Sequence, residues 1–378
     1  MQNLIEGLND KQKEAVLATE GPCLVIAGAG SGKTKVLTHK IAYLISEKNV
    51  KPYNILAITF TNKAASEMKQ RVEKIVGDVA QEMWMGTFHS ICVRILRRFI
   101  DRIGFDTSFL IFDTSDQKTV VKECLKALNI DDKTFSDRSV LSEISNAKNE
   151  MLTPKAYQAK YSGEFRKEKI GQVYELYQKR LRENNAIDFD DIINYTIDIL
   201  SENPDVLQYY TEKFKYVLVD EYQDTNKAQF TLVTILASRY GNITVVGDND
   251  QGIYSFRGAD ISNILNFEKD FPGTKIIKLE QNYRCTGNIL KAANAVIKHN
   301  ENKYEKKLWT ENEDGSLPCL YQAEDEYDEA NYVVKQIEHL KTEEYLKPKD
   351  FVILYRMNAQ SRACLLYTSD AADDLIGV

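Results

Sequence analysis

Histidine and paired cysteine are scarce in this sequence, which limits the metal and disulfide chemistry that it can support. The chain has four histidines and six cysteines among 378 residues. The cysteines are scattered, with no Cys-x-x-Cys pair and no histidine cluster nearby, so little material remains for a transition-metal site. We interpret them as buried, reduced thiols.

Long apolar runs are also missing. No stretch approaches the roughly 20 apolar residues of a membrane span, and residues 1–10 lack the basic-then-apolar layout of a signal peptide. We therefore predict a cytoplasmic protein without a membrane partner.

Net positive charge is absent too: the formal charge of −7 argues against attraction of nucleic acid over the whole surface. A locally basic groove stays compatible with that balance, because the field depends on where the charges lie.

Short apolar runs alternate with helical patterns along the chain, which predicts an α/β fold. Most of the runs are continuous rather than alternating, as in strands covered on both faces of a parallel sheet. Between residues 111 and 183 the sequence has helical spacing without a clear strand, which predicts a helical insertion. The predicted strands are residues 23–27, 55–60, 216–219, 243–246, 275–279 and 351–355.

A glycine-rich segment, Ala27-Gly-Ala-Gly-Ser-Gly-Lys-Thr34, follows the first predicted strand and opens a helical pattern. Small residues let backbone N–H groups approach a triphosphate, and the helix N-terminus favours the negative charge. In this arrangement Lys33 reaches the β- and γ-phosphates and Thr34 binds Mg²⁺. The strict pattern has glycine where this chain has Ala27, and a plain glycine turn is the alternative interpretation.

Two acids, Asp220 and Glu221, end the apolar run at residues 216–219. Acids at the carboxyl edge of a parallel strand lie where ligands bind in open α/β sheets. Asp220 is suited to hold Mg²⁺, and Glu221 to polarise the water that attacks the γ-phosphate. Taken alone, such a pair is as typical of a helix N-cap. Together with the glycine-rich segment it indicates nucleotide hydrolysis.

With these two motifs placed, the chain resembles the UvrD/PcrA family of superfamily 1A DNA helicases from residue 1 to about residue 363. Besides the two motifs, the segments that carry the resemblance are residues 8–16, 58–65, 86–90, 245–259, 279–284 and 353–362. The resemblance implies a RecA-like motor domain with an inserted helical subdomain and the start of a second RecA-like domain. The implied boundaries are 1–110 and 184–279 for the first domain, 111–183 for the insertion and 280–363 for the second domain.

The resemblance also implies an ATP site. In it Gln12 reads the adenine edge, Gln251 senses the γ-phosphate, Tyr283 stacks on adenine and Arg284 reaches the γ-phosphate. Family members commonly carry arginine where this chain has Lys35, and lysine lacks the planar guanidinium of arginine. The predicted catalytic residues are Lys33, Asp220, Glu221, Gln251 and Arg284. The predicted ATP-binding residues are Gln12, Ala27, Gly28, Ala29, Gly30, Ser31, Gly32, Lys33, Thr34, Lys35, Tyr283 and Arg284.

A DNA-facing set follows from the same resemblance. Aromatic faces suit a motor that steps along one strand, because every base has a π-face to stack on. A single aromatic residue is more often part of the core, and His89 has the same alternative reading. The predicted DNA contacts are Phe60, Thr61, Asn62, His89, Phe189, Tyr254, Phe256 and Arg257. The implied activity is ATP-dependent 3′→5′ movement on single-stranded DNA coupled to duplex unwinding in repair or replication. Its implied cofactors are ATP and Mg²⁺, and its implied partners are single-stranded and partly duplex DNA, with RNA polymerase or repair and replication proteins as further candidates.

The resemblance stops after Arg362. Residues 364–374 look like a translated sequencing adaptor joined to a truncated reading frame, and a divergent natural tail is the alternative. We therefore treat residues 364–378 as a non-native tail. The truncated chain is expected to bind ATP weakly, to hydrolyse it slowly and to lack processive unwinding.

Three rival functions compete with this interpretation. A transporter ATPase should carry a Leu-Ser-Gly-Gly-Gln-like signature, which is absent from the sequence, and a small-molecule kinase does not explain residues 86–90 or 245–259. A helicase subunit of the RecB type shares the same motor. A non-catalytic interaction module is the third rival, and the presence of Lys33, Asp220, Glu221 and Arg284 argues against it.

Overall fold

The structure is a computed structural model that describes residues 4–255, 258–300, 304–355, 357 and 360–363. The chain divides into two compact units, Met1–Gly315 and Ser316–Val378. Phe256, Arg257 and the tail at 364–378 lie outside the described residues, so the predictions made for them stay predictions. None of the described helices is long and apolar enough to cross a membrane.

Eight strands are found in the described residues, and all belong to the first unit. They are β1 (Cys23–Ala27), β2 (Ile55–Thr59), β3 (Trp84–Thr87), β4 (Leu110–Ile111), β5 (Ala186–Ile187), β6 (Tyr216–Val219), β7 (Ile243–Gly247) and β8 (Lys275–Leu279). Six of them form one sheet in the order β3-β2-β6-β7-β1-β8. Every pairing in this sheet is parallel, so the carboxyl ends of its strands share one edge.

Helices connect and cover the strands. Those of the first unit are α1 (Asp10–Leu17), α2 (Lys33–Ser46), α3 (Asn62–Val76), α4 (Phe88–Phe99), α5 (Thr114–Ala127), α6 (Asp137–Asn149), α7 (Pro154–Lys160), α8 (Phe165–Glu183), α9 (Phe189–Glu202), α10 (Pro204–Lys213), α11 (Lys227–Ala237), α12 (Ser262–Leu265), α13 (Phe267–Asp270) and α14 (Gly287–Ile297). The second unit contains α15 (Glu326–Glu343), which Asp325 caps through the backbone N–H of Tyr327 and Asp328.

Two hydrophobic cores lie on opposite faces of the large sheet. Leu24 and Ile26 of β1 join one core with residues of α4, α9 and α11, while Val25 joins the other with residues of α1, α2 and α3. Each fully buried aliphatic side chain contributes about 1.5–3 kcal/mol. Because both faces are covered, the strands read as continuous apolar runs. This confirms the predicted α/β class with a parallel sheet between helical layers.

Most strand predictions hold, and the differences outside β4 and β5 are as follows. The strands at 55–60 and 243–246 each shift by one residue at the carboxyl end. β3 was not predicted, because Gly86 and Thr87 interrupt its apolar run. The strand predicted at 351–355 is wrong: the segment has no strand pairing among the described residues, and Val352 and Leu354 are 79% and 88% exposed. An apolar run forms a strand only where a neighbouring strand accepts its hydrogen bonds.

The residues predicted as a helical insertion form α5 to α8, which enclose a hydrophobic core of their own. Val121, Tyr174, Tyr177 and Leu181 belong to that core. A short parallel pair joins the two ends of this region, because β4 pairs with β5. The pair was not predicted, since two-residue strands leave no periodic signal. The domain boundaries inferred from the sequence stay predictions.

Candidate active site

The loop between β1 and α2 turns tightly at the carboxyl edge of the sheet. Gly30 and Gly32 have φ values of +68° and +88°, which glycine adopts without steric cost. A β-carbon on Gly30 would lie 2.6 Å from Asn282 Nδ2, and one on Gly32 would lie 2.8 Å from Gln12 Nε2. Gly32 is the N-cap of α2 and brings no side chain to its first turn. The loop and the helix terminus therefore leave backbone N–H groups for an anion.

Lys33, the first residue of α2, points at the end of strand β6. Its Nζ lies 3.2 Å from Glu221 Oε2, and the two side chains are 12% and 39% exposed. Glu221 has a φ of +49°, a left-handed conformation that costs energy in any residue other than glycine and that concentrates at functional sites. The structure therefore brings together the lysine and the carboxylate that the sequence analysis assigns to one reaction.

Asp220 stands next to this ion pair and is almost inaccessible, with 5% of its surface exposed. Burial and the neighbouring charge of Glu221 raise the pKa of Asp220 to about 7. The same two causes raise the pKa of Asp224 to about 6. A carboxylate that is costly to ionise without a partner gains strongly from a cation, because the cation replaces the proton.

These acids fit Mg²⁺ better than a transition metal. No group of three His, Cys, Asp or Glu side chains in the described part of the chain is arranged to hold a metal ion. Mg²⁺ needs only one or two protein ligands, because it keeps several waters and takes its other oxygens from phosphates. Thr34 and Asp220 line the same cavity as Glu221 and Asp224, so a hydroxyl and a carboxylate are available there.

A hydrogen-bonded chain of side chains connects Glu221 to Gln251. Gln223 donates from Nε2 to Glu221 Oε2 at 2.9 Å, and its Oε1 accepts from the backbone N–H of Asp248 at 2.9 Å. Asp248 Oδ2 in turn accepts from Gln251 Nε2 at 2.5 Å. Gln223 and Asp248 were given no role in the sequence analysis, although Asp248 lies in the segment 245–259 that carries the resemblance, because their contacts with each other join distant parts of the chain. Gln251 thus belongs to the same network as the carboxylates.

The segment after β8 packs directly on the glycine-rich loop. Asn282 donates from Nδ2 to the carbonyl of Ala29 at 2.6 Å, and the backbone N–H of Tyr283 donates to the carbonyl of Gly30 at 3.0 Å. The Tyr283 hydroxyl accepts from Asn9 Nδ2 at 2.8 Å, and half of the Tyr283 surface stays exposed. Tyr283 is therefore held beside the loop with part of its ring accessible.

The remaining predicted ATP-binding residues differ in how they contact the glycine-rich loop. Gln12 is buried, and its Nε2 donates to the carbonyl of Ser31 at 2.9 Å, so it supports the loop in this structure. Lys35 is exposed and donates to the carbonyl of Gly7 at 2.8 Å, away from the acids. Arg284 is exposed, and a β-carbon on Gly30 would lie 2.9 Å from Arg284 Cβ. The structure therefore places Arg284 alongside the loop.

One cavity of about 800 Å³ joins the acid cluster to predicted DNA contacts. On the nucleotide side it is lined by Thr34, Asp220, Glu221 and Gln251, and on the other side by Phe60, Thr61, His89, Phe189 and Tyr254. Basic and amide groups of the helical insertion complete its wall, among them Lys148 and Asn149. Asn62, the exposed first residue of α3, is not among the residues that line it.

Aromatic rings at this cavity are packed on one side and partly exposed to solvent. Phe189 is 50% exposed and meets His89 edge-on, with ring centroids 5.9 Å apart. Tyr254 is 36% exposed. Phe60 is half-buried and packs edge-on against Phe88 at 5.8 Å. Burial lowers the pKa of His89, which favours the neutral ring over the charged one.

The fold and the site together define a P-loop protein of the parallel α/β class. Residues 8–272 match the UvrD/REP helicase N-terminal domain, and residues 277–365 match the UvrD-like helicase C-terminal domain. The chain therefore belongs to the UvrD/REP helicase family.

Individual relatives support the assignment. The chain is 56% identical over 363 residues to an ATP-dependent DNA helicase PcrA of Staphylococcus epidermidis, an alignment that covers 96% of this chain and 49% of that protein. It is 55% identical over 363 residues to an ATP-dependent DNA helicase PcrA of Staphylococcus aureus, with the same coverage. The chain thus spans about half the length of the relatives that it matches.

Proposed function

We propose that this chain is the motor part of an ATP-dependent DNA helicase that moves along single-stranded DNA. The observation that carries the proposal is the shared cavity, in which the acids beside Lys33 and the exposed rings of Phe189 and Tyr254 face one space. A nucleotide at one end and a DNA strand at the other would contact the same short segments. Such an arrangement allows hydrolysis to change the grip on the strand.

In the proposed reaction the γ-phosphate of ATP lies against the first turn of α2. Lys33 would turn from Glu221 to the phosphates, which would leave the Glu221 carboxylate to accept a proton from the attacking water. Bound Mg²⁺, held by Thr34 and Asp220, would neutralise charge on the phosphate oxygens. Arg284 lies beside Gly30 of the loop and would add positive charge as the phosphoryl group transfers.

The coupling to DNA would pass through residues 251–254. Gln251 belongs to the hydrogen-bonded network of the acids, and Tyr254 lines the cavity three residues later. A change at the γ-phosphate that moves Gln251 would therefore move Tyr254 as well. The family resemblance favours 3′→5′ travel and a role in repair or replication, and a translocation assay on strands with one labelled end would check the direction.

The relatives named above are about twice as long as this chain, so the complete helicase activity is proposed for the longer protein. For the 378-residue chain we propose weak ATP binding, slow hydrolysis and no processive unwinding. The support is structural: Arg284 is exposed, and the apolar segment at 351–355 has no strand pairing within the described residues. Brisk duplex unwinding by the purified chain would contradict this part of the proposal.

ATP hydrolysis with and without single-stranded DNA tests the proposed function in the full-length protein. Lys33→Ala should abolish DNA-stimulated hydrolysis, because it removes the charge that reaches the phosphates, while DNA binding persists. Lys48→Ala is the matched control: Lys48 is exposed just beyond the other end of α2, and its loss should leave the rate unchanged. Hydrolysis that survives in Lys33→Ala would show that the glycine-rich loop is not the catalytic nucleotide site.

A further inference from the structure

A buried lysine outside the nucleotide motifs forms ion pairs with the loop that carries Gln251. The Lys306 side chain is 3% exposed, and its Nζ lies 2.6 Å from Asp248 Oδ1. It also forms an ion pair with Asp250 and a hydrogen bond of 3.2 Å to Asn249 Oδ1. A cation so removed from water is stable only because the two carboxylates and the amide oxygen surround it.

Asp248 connects Lys306 to Gln251. One carboxylate oxygen of Asp248 meets Lys306, and the other accepts from Gln251 Nε2 at 2.5 Å. The backbone N–H of Asp248 is held as well, by Gln223 Oε1 at 2.9 Å. With both oxygens and the backbone engaged, the Asp248 carboxylate has one orientation, and the amide of Gln251 follows it. Removing Lys306 would leave Asp248 Oδ1 with the backbone N–H of Asp250, at 3.0 Å, and without the cation that it faces in this structure.

The segment that carries Lys306 also rests on the glycine-rich loop. A β-carbon on Gly28 would overlap the methyl groups of Leu308. Leu308 is positioned in turn by Asn294 of α14, which accepts from its backbone N–H at 3.3 Å and donates to its carbonyl at 2.8 Å. Residues 306–308 therefore touch the phosphate-binding loop at one end and the Gln251 loop at the other.

We propose that Lys306 is a positioning residue that holds Gln251, through Asp248, in the orientation that distinguishes a nucleoside triphosphate from a diphosphate. The inference rests on the proposed function, in which Gln251 faces the γ-phosphate. Lys306 touches no substrate. It acts by orienting a residue that does, and it links that residue to the segment packed on the phosphate-binding loop.

The test is the ratio of affinities for a non-hydrolysable ATP analogue and for ADP, measured by calorimetry on the full 378-residue chain. Lys306→Met should lower the affinity for the analogue about tenfold, the size of one lost hydrogen bond to a charged group, and leave the affinity for ADP unchanged. Gln251→Ala should lower the ratio equally, and the double variant should be no worse than either, because both remove one interaction. Lys306→Arg keeps the charge and should restore part of the ratio.

Lys307→Met is the matched control, because Lys307 is exposed and its recorded hydrogen bond to Glu280 uses the backbone N–H, which the substitution keeps. An unchanged ratio in Lys306→Met, or an equal loss for both nucleotides, would overturn the inference and leave the proposed function standing. Should Lys306→Met fail to fold, Asp248→Asn preserves the shape of the side chain and carries the same test. A wild-type chain that binds neither nucleotide would overturn the inference and the weak binding proposed for this chain, whereas the hydrolysis test on the full-length protein decides the proposed function separately.

Discussion

Two features of the structure require glycine at position 30: its positive φ and the space that Asn282 occupies. Comparison of two glycine substitutions distinguishes them. Its φ of +68° costs an alanine about 1–2 kcal/mol, and its β-carbon would collide with Asn282. Gly241 has a φ of +66° with nothing within 4 Å of such a carbon. Gly30→Ala should therefore lose more unfolding free energy in urea than Gly241→Ala, by at least about 1 kcal/mol, and should also lose nucleotide affinity. Equal losses in the two variants would show that the contact with Asn282 carries no energy.

Lys40 is a buried amine whose protonation depends on folding. Its Nζ donates to the carbonyl of Ala15 at 3.2 Å and to that of Ala18, and burial lowers the pKa of Lys40 from 10.5 to about 8. Between these values the unfolded chain binds a proton that the folded chain does not. The stability contributed by the neutral amine is therefore complete above pH 10.5 and is lost as the pH falls through about 8.

Comparison of wild type with Lys40→Met isolates this effect from other groups that titrate at alkaline pH. The unfolding free energy of the wild type should rise relative to the variant between pH 8 and 10.5, by on the order of 3 kcal/mol. Chemical denaturation at several pH values measures the difference, and Lys48→Met, a change at an exposed lysine, should follow the wild type. If the unfolding free energies of wild type and Lys40→Met change with pH in parallel, the lowered pKa of Lys40 is contradicted.

At the scale of elements, a buried charge cluster joins the helical insertion to α9. Lys148 of α6 lies 2.6 Å from Asp188 Oδ2 and 2.7 Å from Asp191 Oδ1, with every side chain at most 4% exposed. Burial and the charge of Asp188 raise the pKa of Asp191 to about 7. Burial acts in the same direction on Asp188, but the charge and hydrogen bond of Lys148, together with hydrogen bonds from the Asp191 backbone N–H and the Tyr177 hydroxyl, lower the pKa of Asp188. Asp188 and Asp191 of the cluster flank Phe189 at the start of α9.

Removal of one member of this cluster should cost much more than removal of a surface ion pair. Lys148→Met leaves two buried acids without their cation, and we expect a loss of about 3–5 kcal/mol of unfolding free energy. Lys160→Met breaks an exposed pair with Glu150 at 2.8 Å and should cost less than about 1 kcal/mol. Urea titration of both variants decides the matter. Similar midpoints would mean that the charges of the cluster are already neutralised by proton transfer or water.

The elements also show what the sequence can predict. Strands covered on both faces appear as uninterrupted apolar runs, so β1, β6 and β8 were predicted at their observed bounds. The segment at 351–355 has the same local pattern. An apolar run becomes a strand only when it pairs with a neighbouring strand, and the sequence of the run does not show whether such a strand is present. Lys33, Asp220 and Gln251 were found from motifs. The role of Asn282, which lies in the segment 279–284, and that of Lys306 depend on contacts with distant parts of the chain, which the sequence does not show.

At the scale of the whole molecule, the cavity brings together residues from seven separate stretches of sequence, among them the exposed ring of Phe189. If Phe189 stacks on a base of bound DNA, Phe189→Ala should weaken single-stranded DNA binding by about 1–3 kcal/mol, which is roughly 5- to 150-fold. The loss should be the same for oligothymidine and for mixed sequences, because stacking does not depend on base identity.

The salt dependence of binding separates stacking from a phosphate contact. Phe189→Ala should leave the slope of affinity against salt concentration unchanged, because no cation is removed and the number of displaced counterions stays the same. Phe165→Ala is the control, since Phe165 is 70% exposed at the start of α8 and does not line the cavity. Fluorescence anisotropy with labelled oligonucleotides measures both variants at several salt concentrations. Equal DNA affinities for Phe189→Ala and Phe165→Ala would show that the DNA strand does not contact Phe189. The proposed coupling of ATP hydrolysis to DNA through this side of the cavity would then be wrong.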